Sequence, residues 1–383
     1  MKHSEKEKVR ERFVVKGGSA IDLSRDFKSG LDQAAITKET AKEHLDADIK
    51  RIAHYQDILY AQDNYALLII FQAMDAAGKD STIKHVMSGI NPQGCQVFAF
   101  KAPSAEELDH DYLWRCTKAL PERGRIGIFN RSYYEEVLVS RVHPEILDKQ
   151  QLPPKLRGKG IWKRRFEQIN NYEKHLVENG TVILKFFLNV SKKEQKKRFL
   201  ARLNDPEKNW KFASSDAVDR ELWDKYMHAY QDCLSNTSTS WAPWHVIPAD
   251  SKPFCRLAVG YIIAETLKSL DLHYPVVSEE QKKALDRARK LLEGEILVSD
   301  TIAEVEAEEL SVVEAQPLED QPIQDQRIED VSLVDTDAEA VPEIVIDVDS
   351  KVEAEPVKAK GKQKSKPKPK SKNKGKKEKK TKQ

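Results

Sequence analysis

Cysteine is scarce in this chain and nowhere clustered: Cys95, Cys116, Cys233 and Cys255 form no C-x-x-C pair. That argues against a thiolate metal site or a disulfide framework and leaves reduced, buried thiols as the expectation. There is no run of 18 apolar residues, so no membrane-spanning helix is expected. The opening MKHSEKEKVRERF lacks the apolar core of a secretory signal, which points to a soluble, cytoplasmic protein. No internal repeat is visible, which excludes solenoids and propellers.

Charge is abundant, and it is segregated. From Glu293 to Glu355 there are 21 acidic residues and two basic ones, a net of −19. From Pro356 to Gln383 there are 14 lysines and one glutamate, a net of +13. Taking both from the overall +2 leaves +8 on residues 1–292. Segments so charged and so poor in aromatics cannot offset their ordering entropy, so 294–355 reads as an acidic disordered linker and 356–383 as a lysine-rich disordered tail. The globular body is expected over 1–293, and it is basic.

Five short apolar runs in the body read as buried parallel strands: 66–74, 96–101, 125–130, 181–190 and 244–249. Helical patterns lie between them, at 161–179, 191–203 and 216–234, with another after the last strand. Ser104-x-x-Glu107 and Ser278-x-x-Gln281 are capping boxes, and an amphipathic helix over 38–62 precedes the first strand. This alternation predicts a three-layer α/β/α sandwich with a five-stranded parallel sheet.

The stretch AMDAAGKD, 73–80, follows the first strand and opens a helix. It keeps the spacing of a phosphate-binding P-loop, but Ala73 replaces the first glycine and Asp80 the metal-binding hydroxyl. The helix N-terminus still suits an anion. Gly78 and the small Ala76 and Ala77 allow close approach, and Lys79 can reach a phosphoryl oxygen. Asp75 is an alternative metal ligand, and Ser81 follows as a hydroxyl. The competing reading is an ordinary strand-to-helix turn, with Asp80 complementing the dipole.

The third strand emerges at Asn130, the carboxyl end where such sheets bind ligands. Asn130 can orient a metal-bound water but brings no charge, which shifts metal binding toward Asp75 and either Glu135 or Glu136. Arg131 is placed to neutralise a transferring phosphoryl group. Basic residues between 191 and 212, among them Arg198, Arg202, Lys208 and Lys211, occupy the position of a mobile kinase lid, about 191–220. A solvated helix face is the plainer reading of the same charges.

Three stretches together resemble the polyphosphate kinase 2 family: QAMDAAGKDSTIKHVMSGINPQGCQVFAFKAPSAEELDHDYLWR, LPERGRIGIFNRSYYEEVLVSRVHPEIL, and the segment from RFLARLNDPEKNWKF to WHVIPAD. The resemblance covers about 15–272 and is nearest the third subclass, in which the strand-end motif is FNRSYYEEV. It implies a P-loop kinase-like, thymidylate kinase-like fold with a helical lid. It also implies Mg²⁺-dependent (or Mn²⁺-dependent) phosphoryl transfer between polyphosphate and AMP, ADP or ATP, in a homodimer or homotetramer.

By that resemblance Asp75 serves metal or acceptor phosphate, Lys79 and Arg131 the transferring group, and Arg198 and Arg202 the lid. Glu136 is expected as the second metal ligand and Tyr134 among the nucleotide-binding residues. The alternatives are an ATP-dependent nucleoside monophosphate kinase on the same fold and a non-catalytic polyanion-binding protein. Nucleic acid binding by the lysine tail lacks any accompanying aromatic or recognition motif.

Overall fold

The computed structural model describes residues 11–30, 37–212 and 214–294, all within one unit, Met1–Thr301. The acidic linker and the lysine-rich tail lie outside the described residues.

In chain order the main elements are α1 (Lys38–Gln62), β1 (Ala66–Gln72), α2 (Lys79–Val86), β2 (Cys95–Ala99), β3 (Ile126–Asn130), α3 (Glu135–Val142) and α4 (Ile161–Glu178). Then come β4 (Thr181–Asn189), α5 (Lys192–Leu203), α6 (Ser214–Glu221), α7 (Trp223–Thr237), β5 (Trp244–Pro248), α8 (Lys252–Ser269) and α9 (Glu279–Leu292). Both capping boxes form, at Ser104/Glu107 and at Ser278/Gln281. The helix expected over 216–234 is two helices, α6 and α7, broken at Leu222.

The five strands form one parallel sheet in the order β2-β3-β1-β4-β5. β1 lies at the centre, and every one of its residues is buried because helices cover both faces. α8 packs on α1 and α2, while α7 packs on α3 and α4, giving the three layers. Phe71 faces Phe186 across the β1–β4 register, and their rings stack at 5.3 Å. Each such ring stabilises the core by about 1.5–3 kcal/mol through burial. The edge strand β2 is more open, with Gln96, Val97 and Ala99 exposed. At the other edge Val14 forms an antiparallel bridge with His245.

One polar cluster sits inside this apolar frame. Lys185, at the middle of β4, is fully buried and donates to Glu173 Oε2 at 2.6 Å, the Tyr134 hydroxyl at 2.9 Å and Thr237 O at 2.7 Å. Tyr133 and Tyr134 each donate a hydroxyl proton to Glu173 Oε1, at 2.9 and 2.7 Å. Every charge there is paired and hydrogen-bonded, as burial requires.

Candidate active site

Because β1 and β3 are neighbours in parallel register, Phe71 lies beside Asn130, and the loops leaving both strands meet. Arg131 N–H donates to Phe71 O at 3.0 Å, closing the junction. The chain leaves β1 through residues 73–78 and enters α2 at Lys79. Gly78 caps the helix at φ 111°, a left-handed conformation that glycine adopts without the clash a Cβ would bring. Ala76 adopts φ 61° despite its Cβ, and Arg131 adopts φ 67°. Two non-glycine residues in this region, both at one junction, mark stored strain of the kind found at functional sites.

Charge is concentrated where the loops meet. Arg131 Nη2 donates to Asp75 Oδ1 at 2.9 Å. Burial works against the Arg131 charge, but Glu135 and Asp75 outweigh it and hold the guanidinium above its ordinary value. Lys79 is buried and donates to Ala73 O at 2.8 Å. Burial pushes its ammonium below the ordinary lysine value, with Asp75 opposing the push. Burial raises the Glu135 carboxyl above the usual glutamate range, and Arg131 and Lys79 offset this only in part. Asn130 Nδ2 donates to Asp80 Oδ1 at 2.7 Å, and Ser81 Oγ accepts from Arg256 Nη2 at 2.8 Å.

A cavity of about 400 Å³ opens over the junction, with Asp75, Lys101, Arg115, Arg131, Glu135 and Tyr230 in its walls. An adjoining hollow of about 270 Å³ shares Arg115 and Glu136 with it and adds Tyr112 and Arg165. Lys101 and Arg115 were not singled out from the sequence. Lys101 lies just beyond the carboxyl end of β2, so the strand-end rule that pointed to Asn130 was the available signal.

The other expected site residues are placed as follows. The Glu136 carboxylate is only 4% exposed and lies between Arg115 and Arg165, at 3.7 Å from each. Its Oε2 also accepts from Ser140 at 3.0 Å and from Gln150, so that oxygen is already committed. Tyr134 is fully buried in the Lys185–Glu173 cluster, so it cannot reach a nucleotide in the cavity. Arg198 is buried and bonded to backbone carbonyls, whereas a lid arginine should face solvent or ligand. Arg202 is half-buried, with its guanidinium 5.7 Å from the Phe199 ring centre. Lys208 and Lys211 are exposed, the first paired with Asp205 and the second 4.9 Å from the Trp210 ring centre.

Among the described residues no group of three or more His, Cys, Asp or Glu side chains is gathered to hold a metal. Nor is any helix among them long and apolar enough to cross a membrane.

A five-stranded parallel sheet whose central strand runs into a glycine–lysine loop and a helix N-terminus defines a P-loop kinase-like protein. Residues 35–275 match the family Polyphosphate kinase 2, and the chain belongs to that family. It is 52% identical over 283 residues to the "ADP-polyphosphate phosphotransferase" of Rhodopseudomonas palustris, covering 74% of this chain and 98% of that one. It is 44% identical over 265 residues to the "AMP/ADP-polyphosphate phosphotransferase" of Meiothermus ruber, covering 69% and 95%. The crystal structure of polyphosphate kinase 2 from Arthrobacter aurescens TC1 superposes with a TM-score of 0.65 at 38% identity, covering 73% of this chain and 97% of that one.

Proposed function

We propose that the protein transfers phosphoryl groups between inorganic polyphosphate and adenine nucleotides, AMP to ADP and ADP to ATP, with the reverse available when ATP is plentiful. The observation that carries this reading is the Asp75–Arg131 pair beside the buried Lys79, at the mouth of the loop. Family membership and the two phosphotransferase relatives support the choice of donor and acceptor.

In this reading Lys79 leaves Ala73 O and takes a phosphoryl oxygen, a move favoured by its poorly solvated ammonium. Arg131, fixed by Asp75, neutralises charge that spreads over the equatorial oxygens of the transferring group. The loop amides and the α2 N-terminus hold the neighbouring phosphate. The main work is positioning and electrostatics, and no covalent intermediate is needed. Lys101 and Arg115 add positive charge to the cavity, and the adjoining hollow gives room for a nucleoside.

Mg²⁺ fits the donor set. Asp75 gives Oδ1 to Arg131, and no protein donor to its Oδ2 is found among the described residues. Glu135 and Asp80 are the other carboxylates at the junction. Mg²⁺ is usually bound by one or two carboxylates, with substrate phosphates and water completing the shell, so the lack of a three-carboxylate cluster suits it. Asp75 and Glu135 would hold it, and it would supply charge to bridge and neutralise the phosphates.

The basic body and the lysine tail would raise the local concentration of a polyanion, with 204–212, which carries the exposed Lys208 and Lys211, as the closing element. A homo-oligomer and a cytoplasmic location complete the reading. The deciding experiment incubates the protein with Mg²⁺, polyphosphate and either AMP or ADP, then resolves products by anion exchange. ADP or ATP formed without added ATP is the expected result. Products that appear only with ATP as donor would establish the monophosphate kinase reading instead, and binding without turnover the polyanion-binding one.

A further inference from the structure

Three consecutive carbonyl groups of the loop, those of Asp75, Ala76 and Ala77, are taken by one helix. Gln195 Nε2, on α5, donates to Asp75 O at 3.0 Å. Three residues on, Arg198 Nη1 donates to Ala76 O at 3.2 Å and to Ala77 O at 2.6 Å. Arg198 Nη2 donates to Ala249 O at 2.6 Å and Asp250 O at 3.2 Å, at the carboxyl end of β5. Its Nε donates to Glu194 Oε1 at 2.9 Å. All five N–H groups of the guanidinium are therefore used, four of them on main-chain oxygens. The side chain is 8% exposed, too enclosed to serve as a contact for incoming polyphosphate.

These bonds fix which way the peptides of the loop face. Carbonyls drawn toward α5 turn the Ala76 and Gly78 N–H groups the other way, while Ala77 N–H closes the turn on Met74 O at 3.2 Å; a left-handed residue within such a run gives the concave backbone that cradles anions. Ala76 is that residue, at φ 61°. An alanine does not take this conformation by itself, so neighbouring contacts must over-determine it. The peptides on either side of Ala76 are held at Asp75 O by Gln195 and at Ala76 O by Arg198, and those are the contacts.

The brace is itself anchored. Asp250 Oδ1 accepts from Ser191 N–H at 2.7 Å, tying the start of α5 to the end of β5. Arg220, on α6, donates to Lys192 O at 2.8 Å and to Gln195 Oε1 at 2.9 Å, which turns the Gln195 amide nitrogen toward Asp75 O. A displacement of α6 would thus reach the loop through a single side chain.

We propose that Arg198, seconded by Gln195, is the positioning residue that holds the phosphate-binding loop in its left-handed turn at Ala76, and that Arg220 couples α6 to it. The assignment rests on the loop being the phosphate site proposed above. Arg198 touches no reacting atom; it acts through the backbone of residues 75–77.

The test is a suppressor cycle of Arg198→Lys, Ala76→Gly and the double variant, in the full chain. Arg198→Lys keeps the charge but cannot serve all five acceptors, so amide hydrogen exchange at 75–79 should rise roughly tenfold, and kcat should fall by a similar factor, with less change in KM. Glycine takes the left-handed turn freely, so Ala76→Gly should suppress the loss, bringing the double variant within about threefold of Ala76→Gly alone. A role confined to packing α5 would give multiplying losses and no suppression, and that result overturns the proposal. So does unchanged exchange at 75–79 in Arg198→Lys. If that variant does not fold, Gln195→Met decides by the same exchange measurement, with faster exchange expected and unchanged exchange overturning. Wild-type protein that fails to phosphorylate AMP or ADP from polyphosphate would remove the functional reading, while loop exchange would still decide the brace.

Discussion

Asn130 donates its side-chain amide to the Asp80 carboxylate at 2.7 Å, joining the end of β3 to the first turn of α2. In the usual P-loop arrangement a helix hydroxyl and an acidic residue, often at a strand end, share the metal. Here the acid stands on the helix and the neutral amide on the strand. The charge has changed sides, and the link across the junction is kept. The Asp80 that replaces the usual hydroxyl and the uncharged Asn130 at the strand end are thus parts of one contact.

Asp80→Asn tests whether that charge is used. The variant keeps an oxygen for Asn130, so the link survives while the charge is lost. If Asp80 helps hold the cation, the Mg²⁺ concentration for half-maximal turnover should rise roughly tenfold, on the scale of one charge-assisted contact. An unchanged Mg²⁺ titration would leave Asp80 as a first-turn acid that complements the helix dipole.

Lys79→Met separates catalysis from folding. Its ammonium is buried and held below its ordinary pKa by that burial, and it makes one bond, to Ala73 O. Removing it should cut turnover by roughly 10²-fold, the scale of a single electrostatic donor. The thermal midpoint of the ligand-free protein should stay level or rise, since the desolvation cost disappears with the charge. A large fall in the midpoint would make Lys79 a structural residue.

Glu135→Gln should change the pH dependence in two ways. Its folded-state pKa is raised, chiefly by burial, so Glu135 takes up a proton at a higher pH than ordinary carboxylates do. Activity that needs the carboxylate should therefore fall early on the acid side, and the variant should lack that limb and have a lower plateau. For stability the sign is opposite. A raised pKa contributes stability that is present below the unfolded value and lost as pH rises through the folded one. At neutral pH the ionised Glu135 is thus a liability, and Glu135→Gln should melt higher there. The difference should vanish below about pH 4, where the unfolded chain is protonated too. Equal melting at neutral pH, with the acid limb intact, would remove Glu135 from the site.

Much of this was legible because it is local. Five apolar runs marked five strands, and the loop between β1 and α2 was recognisable although two of its residues depart from the pattern. What the runs could not encode was which strand neighbours which. The order β2-β3-β1-β4-β5 is needed to put Asn130 beside Phe71 and bring Asp75 to Arg131. Three expected site residues are held by partners that the sequence alone could not show. Tyr134, Glu136 and Arg198 were judged by residue type and position, but their partners come from elsewhere in the chain: Glu173 and Lys185, Arg115 and Arg165, and the carbonyls of the loop and β5. A tyrosine or a charge beside a motif reads the same whether it points into the cavity or into the core. The break at Leu222 was also hidden, because α6 and α7 carry similar helical patterns on either side of it.

The Lys185–Glu173 pair gives a prediction away from the cavity. Both side chains are fully buried, and burial lowers the Lys185 pKa while Glu173 opposes that shift. Lys185→Met would leave the Glu173 carboxyl in the core without its cation, with only the Tyr133 and Tyr134 hydroxyls as partners. Breaking one side of such a pair costs about 3–5 kcal/mol, because an uncompensated charge remains. Lys185→Met combined with Glu173→Leu removes both charges and should recover a large part of the loss, although the two tyrosine hydroxyls would then lack their acceptor. Urea unfolding of the wild type, the single variants Lys185→Met and Glu173→Leu, and the double variant measures the coupling directly. A Lys185→Met variant within about 1 kcal/mol of wild type at neutral pH would contradict this account, because it would mean that water or a shifted side chain already compensates Glu173.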